Sequence, residues 1–367
     1  MEFATQAGTR RFKERVESKN RVAKGHFRSS NELELTSVGM GTYLGDPDLA
    51  TDIQVTQAVI ESITSGAVNV IDTAINYRSQ KAEKSVGKAL RELFSDRWLQ
   101  RDEVFISTKN GYLTPEADIK QDFRTYIIEN LVKPGILNPQ DICSGSHCMS
   151  TSYLKDQLNR SLKNLDLKTI DLMYIHNAAE SQLREIGRQE FMNRLRAAFK
   201  FYEEQRQEGE IRYYGMATWT CFRAPSRDPE YLNLEDAVQV ARDVGGENHG
   251  FKYIQLPFNL GMPEALTERH QRINGQNVSI LEASSRLGVG VFTSVPLLQG
   301  QLLRYQLPEV PGLRTPAQKC IQFVRSTPGV IAPLVGQKRR EHVLENLETA
   351  QVPPLDIETY NRIFGSA

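Results

Sequence analysis

From Leu35 to Ala350 strand-like and helix-like segments alternate eight times, and this alternation constrains the fold more than any other feature. The strand-like runs are 35–43, Val68–Ala74, Val104–Asn110, Ile170–His176, Ile211–Thr218, Tyr253–Leu260, Val289–Pro296 and Val330–Gly336. Stretches with helical spacing follow them at 51–65, 81–94, 151–165, 188–208, 233–244, 279–287, 316–326 and 340–350. A strand returns to a parallel neighbour only through a crossover, so the alternation implies a parallel sheet. Eight βα pairs predict a closed α/β structure, the (β/α)8 or TIM barrel. Segment 25–45 reads as strand, polar turn, strand, which places a β-hairpin before or at the first barrel strand. The expected organisation is a basic extension, 1–24, and a single barrel domain, 25–367.

The connections are asymmetric. Helix-to-strand links are short, as at Gly66–Ala67, Gly209–Glu210 and Pro328–Gly329. Strand-to-helix links are long: 111–150, 177–187, 219–232, 261–278 and 297–315. In a barrel these long links all emerge at one face, where active sites sit. Irregular length placed there is expected of an enzyme, although it also suits partner binding.

Composition removes several classes. Lys plus Arg and Asp plus Glu are each 45 in 367 residues, so the basic excess of a nucleic-acid binder is missing. The longest apolar runs, near Val289–Leu298 and Val330–Gly336, fall short of the roughly 18 residues of a membrane span. The first twenty residues have no apolar signal-peptide core. Four cysteines make no disulfide scaffold and point to a reducing, cytoplasmic setting. Cys143, His147 and Cys148 lie close together, but a structural zinc site needs four ligands and Cys221 and Cys320 are isolated, so no metal is expected. Residues 1–30 hold eight Lys or Arg against three Glu, which reads as a solvated extension, with a docking arm as the other reading. Nothing in the pattern specifies an oligomeric state.

Polar residues sit where the predicted strands two, three and four end: Asp72 with Tyr77 shortly after, Lys109, and His176. Each has a common structural use on its own, as a helix cap, a packed ring, a surface charge or a bonded histidine. Neighbouring strands lie about 4.8 Å apart, so three successive strand ends can bring all four to one mouth. A phenol of pKa near 10 is a poor acid at neutral pH, and a nearby ammonium favours its ionised form. A carboxylate holds that ammonium in place, and an imidazole can orient a carbonyl oxygen. The set suits proton delivery to oxygen while a hydride arrives at carbon.

The Asp72-x-Ala74-x-x-Tyr77 motif, Lys109 after a strand, and the D-L-x-x-I-H strand closing in His176 resemble the aldo-keto reductases over about Leu35–Ala350. The resemblance implies Tyr77 as general acid/base, Lys109 and Asp72 as the pair that lowers its pKa, and His176 as substrate orienter. It implies a nicotinamide cofactor held without a Rossmann domain, by Gly41, Thr42, Asp72 and Gln255. It extends this to the closing segment, with Gly336, Gln337, Lys338, His342, Glu345 and Asn346. Lys338 and Arg339 suit a ribose 2′-phosphate, so NADP is expected over NAD. The implied reaction is NADP-dependent interconversion of a carbonyl (aldehyde, ketone or sugar) and an alcohol. The alternative is a cofactor-binding barrel that serves as a regulatory or scaffold subunit.

Three features depart from the family pattern. Gly215-Met216-Ala217-Thr218 replaces its Gly-Val-Ser-Asn, Ser294 stands where an aromatic often stacks, with Trp219 as a candidate substitute, and the 111–150 link is long. Tyr77 and Lys81 also fit the Y-x-x-x-K spacing of short-chain dehydrogenases, but Gly39–Gly45 misses G-x-G-x-x-G by one residue.

Overall fold

A computed structural model describes residues 2–365. The chain opens with α1 (Gln6–Glu17) and the antiparallel hairpin β1 (Phe27–Ser30) and β2 (Leu33–Thr36). Then come β3 (Gly39–Gly41) and α2 (Leu49–Thr64), followed by β4 (Val70–Asp72) and α3 (Lys81–Ser95). β5 (Phe105–Asn110) leads through the short α4 (Phe123–Ile127) to α5 (Thr151–Leu165), and β6 (Ile170–His176) to α6 (Ala178–Gln207). β7 (Ile211–Ala217) precedes α7 (Leu234–Gly245). β8 (Phe251–Pro257) is followed by α8 (Glu264–Thr267), a hairpin of β9 (Gln271–Ile273) and β10 (Gln276–Val278), and α9 (Ile280–Leu287). β11 (Gly290–Ser294), α10 (Pro316–Ser326), β12 (Val330–Gly336), α11 (Arg340–Leu347) and α12 (Ile357–Phe364) complete it.

Eight parallel strands close on themselves in the order β3-β4-β5-β6-β7-β8-β11-β12, with β12 pairing back to β3. The expected (β/α)8 barrel and N-terminal hairpin are both present. Alternate residues point inward, and Val70, Phe105, Leu172, Tyr174, Tyr253 and Phe292 fill the barrel as a packed core. The other faces of the strands pack on the helices, which is why the strands read as continuous apolar runs.

Three local expectations need correction. The first strand, expected over 35–43, is divided: Leu33–Thr36 belongs to the hairpin and only Gly39–Gly41 to the barrel. Link 177–187 is largely helical, being the first part of α6, and the helix expected from 188 resumes after a break at Gly187 (φ 74°, ψ 166°). The extension expected to be solvated, as far as it is described (2–24), is packed against the barrel. Phe12 and Val16 of α1, four residues apart on one face, are buried in the main core, while Arg11 and Arg15 beside them reach the fully buried Glu103. Ala4, Leu33 and Leu35 pack into the barrel interior. All these contacts lie at the N-terminal ends of the strands, so α1 and the hairpin stopper the barrel bottom and leave the opposite end for a site.

The 111–150 link is a packed layer over that opposite end. Leu113, Tyr126, Ile127, Leu131, Leu137 and Cys148 form a small core of their own with Tyr153 of α5.

Candidate active site

Strand register brings the predicted groups together. Asp72 on β4 pairs with Ser107 on β5, and Lys109, two residues on, pairs with Tyr174 on β6. The alternation of β-strands then turns Asp72 and Lys109 inward at the same end. Lys109 is fully buried, and its ammonium donates to Asp72 Oδ2 at 2.6 Å and to the Thr73 carbonyl at 2.8 Å. Asp72 Oδ1 accepts from Ser107 Oγ at 2.7 Å and from Gln255 Nε2 at 3.0 Å. A buried ion pair is tolerable only when its remaining valences are met; those of Asp72 are, and Lys109 keeps one N–H beyond Asp72 and Thr73. Burial works against the Lys109 charge, but Asp72 and Tyr77 outweigh it and its pKa is raised.

Tyr77 lies on the turn after β4. The Lys109 ammonium is 4.8 Å from its ring centre, and the N–H that Lys109 does not give to Asp72 or Thr73 is left for the Tyr77 hydroxyl. Burial raises the Tyr77 pKa; the Lys109 charge pulls it down but does not win, and Asp72 and Tyr43 add to the rise. Lys109 thus acts on this phenol in the expected direction, whereas Asp72 acts directly in the opposite one. Burial leaves Tyr77 a protonated acid at neutral pH. The Tyr43 ring meets Tyr77 edge-on at 5.0 Å, and His176 meets it at 5.9 Å. Burial, then the charges of Lys109 and His147, holds the His176 pKa well below its ordinary range, so the imidazole is neutral. Its Nδ1 is 3.2 Å from Asn76 Oδ1.

Asp72, Tyr77 and His176 line one cavity of about 540 Å³ at the mouth, together with Gly41, Thr42, Gln255, Ser294, Gly336 and His342. Thr42 also donates to the Asp72 carbonyl at 3.1 Å, joining strand one to strand two at the site. Gly215, the one position of that strand end that keeps the family residue, has a steric cause: a Cβ there would come within 2.0 Å of the Tyr253 carbonyl oxygen; of the positions that depart, Ala217 and Thr218 line the cavity. Around the rim stand Tyr43, Leu44, Trp219 and Leu303, all large, apolar and exposed. Val295 and Gln299, also in the lining, have positive φ (48° and 52°), which is strained for a β-branched residue and uncommon for any but glycine.

The closing segment divides its residues. Lys338 lines a second groove of about 480 Å³ between α2 and α11, beside Arg339, Arg340 and Glu61. Gln337 and Asn346 line neither cavity; both are buried, with Asn346 donating to Gln337 and Gln337 to Ser62. Glu345, half-buried on α11, is likewise in neither lining.

Two residues at the site escaped the motif reading. Tyr112 lines the cavity and packs edge-on against His176 at 5.1 Å. His147 lies behind it, fully buried, with Nε2 bonded to the His176 carbonyl at 2.8 Å and Nδ1 to Gln182 at 2.9 Å. That carbonyl can only accept, so His147 Nε2 carries the proton. Gly111 (φ 120°) makes room, since a Cβ there would stand 2.6 Å from His147 Nε2. Cys143 and Cys148 go elsewhere, to Arg194 and Ser150. The only sequence signal for His147 was its proximity to these cysteines, which pointed toward metal chemistry instead of toward β6.

An acid, a buried ion pair and a neutral imidazole thus gather around an open cavity at the top of a (β/α)8 barrel. The model of the Aldo/keto reductase family matches residues 37–224, about half the chain, and the protein belongs to that family. An uncharacterised oxidoreductase of Bacillus subtilis, YqkF, is 22% identical over 352 residues, covering 90% of this chain and 92% of its own. A probable voltage-gated potassium channel subunit beta of Arabidopsis thaliana is 22% identical over 325 residues, covering 83% and 84%. Among solved structures, an aldo-keto reductase from Bacillus halodurans superposes with a TM-score of 0.61 at 19% identity, covering 93% of this chain and 96% of its own. One from Klebsiella pneumoniae, in complex with NADP and acetate, gives 0.59 at 20% identity over 93% and 96%.

Proposed function

We propose that the protein reduces a carbonyl to an alcohol with NADPH, with Tyr77 as the proton donor. The observation that carries this is the free valence at the mouth. The Tyr77 hydroxyl and His176 Nε2 lie at the cavity without a protein hydrogen bond of ordinary geometry among the described residues, while beneath them Asp72 is fully engaged and Lys109, bonded to Asp72 and Thr73, keeps one N–H for Tyr77. Groups left unpaired at a cavity are available to a ligand.

The residues present fit the cofactor. The main cavity and the basic groove are linked by the segment from Gly336 to His342, whose ends line the first and whose middle lines the second. The cations of Lys338 and Arg339 suit a ribose 2′-phosphate. Gly41, Thr42, Gln255 and His342 would hold the nicotinamide half, and Gln337 and Asn346 would support the loop that carries Lys338. When bound, NADPH supplies the hydride. Tyr77 then gives its proton to the carbonyl oxygen, and His176 orients that oxygen. Lys109, fixed by Asp72, stabilises the phenolate that forms.

The wall near Tyr77 contains Tyr43, Leu44, Tyr112 and Trp219, and among the described residues no Lys or Arg lines the cavity. An aldehyde or ketone with an uncharged, apolar body fits this better than a sugar phosphate or a keto acid. Four free, buried cysteines accord with work in the reducing cytoplasm. The second reading, a regulatory subunit that binds cofactor with little turnover, draws on the relatives named as potassium channel subunits.

Steady-state assay of aromatic, aliphatic, sugar and carboxylated aldehydes with NADPH separates the two readings. Turnover greatest on uncharged apolar aldehydes, lost by about a thousandfold or more in Tyr77→Phe with NADPH still bound, is the expected result. Tight NADPH binding with no turnover on any class supports the regulatory reading.

A further inference from the structure

The imidazole of His176 has one protein hydrogen-bond partner among the described residues, Asn76. Asn76 immediately precedes Tyr77 and lines the same cavity. As oriented, its Oδ1 can only accept, so the proton of the neutral ring sits on Nδ1. Nε2 is then a bare lone pair facing the cavity. A carbonyl oxygen also offers only lone pairs, so this arrangement sets an acceptor against an acceptor.

Asn76 Nδ2 has no protein partner among the described residues, and nothing fixes which end of the amide faces the ring. A half-turn about Cβ–Cγ presents Nδ2–H to Nδ1. The ring then gives up its Nδ1 proton to cavity solvent and takes one up at Nε2, with no net change in charge. The other groups around the ring do not decide this. Tyr77 and Tyr112 meet it edge-on, Lys109 is committed to Asp72 and Thr73, and His147 bonds the backbone carbonyl.

We propose that Asn76 is a positioning residue that sets the tautomer of His176, turning its amide nitrogen to Nδ1 so that Nε2–H is presented to the substrate carbonyl. The inference rests on the reductase reading of the site. An amide can serve either tautomer; a carboxylate at this position could serve only the unproductive one.

The test is Asn76→Asp, with Asn76→Ala as the second variant. The carboxylate holds the proton on Nδ1, so kcat/KM for aldehyde reduction falls about a hundredfold near neutral pH, the scale of losing one hydrogen-bond donor to a reacting oxygen. Activity returns as pH falls through the imidazole pKa of the variant, because the imidazolium carries N–H on both nitrogens. Wild type lacks that acid limb, and Asn76→Ala loses less and lacks it too.

Nitrogen NMR of labelled histidine reads the tautomer without turnover. The His176 proton is expected on Nδ1 in Asn76→Asp, and on Nε2 in wild type bound to NADP and an unreactive carboxamide. Activity of Asn76→Asp within twofold of wild type, an identical pH profile, or an Nδ1 proton persisting in the wild-type complex would overturn the assignment. If wild type reduces no aldehyde, the reductase reading fails by itself, and the NMR result still decides the tautomer.

Discussion

The two ends of the barrel both bury charge, and they treat it differently. At the bottom, Glu103 is met by Arg11 and Arg15, and Asp171 accepts from Arg101, from the Ala4 amide at 2.6 Å and from the Ile106 amide at 2.8 Å. Arg325, fully buried and lowered to about 9 by burial and then by Arg28, donates to Ser37 and to the carbonyls of Thr349 and Val352. None of these residues lines either cavity. At the mouth, Asp72 is satisfied in the same way, yet the layer above it, Tyr77 and His176, keeps open valences toward a cavity. Buried charge alone therefore does not mark function, and neither does an unpaired buried atom, since Arg101 Nε at the bottom has no partner either; polar atoms open to a cavity above an ion pair do.

Lys109→Met is the strongest way to break this comparison. It leaves Asp72 buried beside Ser107 and Gln255 without its cation, which costs about 3–5 kcal/mol of stability for a buried pair. It also removes the charge that stabilises the Tyr77 phenolate, so kcat/KM for aldehyde reduction should fall by about a thousandfold or more. Urea unfolding and steady-state kinetics on the same preparation check both. Turnover close to wild type would show that the ion pair is structural, like those at the bottom.

Phe12→Ala is the counterpart at the other end. Phe12 is fully buried between α1 and the barrel, and truncating such a ring costs about 3–5 kcal/mol. Turnover of the folded fraction at 25 °C should stay within twofold of wild type, because the stopper lies beyond the packed interior from the cavity. A kcat that fell in step with stability would mean the two ends are coupled.

The same contrast explains what could be read from the sequence. The barrel was legible because its strands are buried on both faces and its crossovers leave a helical period between them. The quartet Asp72, Tyr77, Lys109 and His176 was legible because strand ends are points where sequence position maps directly onto place. The stopper was not, since a count of Lys and Arg hides the Phe12 and Val16 pair that decides where α1 goes. Gln255 was assigned to cofactor, and its bond to Asp72 crosses 183 positions that no local pattern can span. His147 reaches β6 from within a long link, and Asn76 touches His176 across a hundred residues. Such contacts depend on how the mouth closes, which periodicity does not encode.

His147 gives the smallest effect and the sharpest view of that closure. Burial lowers its pKa to about 4, against the raising effect of its bond to the His176 carbonyl, while the unfolded chain takes up the proton near the ordinary histidine value of 6.5. Between these values the unfolded state binds more protons. The stability contributed by neutral His147 is thus complete above pH 6.5 and is lost progressively as pH falls toward 4. From pH 7 to pH 5 its share is about 2 kcal/mol. His26, His176 and His249 are lowered as well, so the total acid loss in wild type is larger. His147→Gln, which keeps an amide donor for the His176 carbonyl, removes only the His147 part. Urea midpoints at pH 7 and pH 5 should therefore draw closer together in the variant by that amount. Equal separation in both proteins would mean that His147 already titrates as an exposed histidine, and that the 111–150 layer does not seal the mouth behind His176.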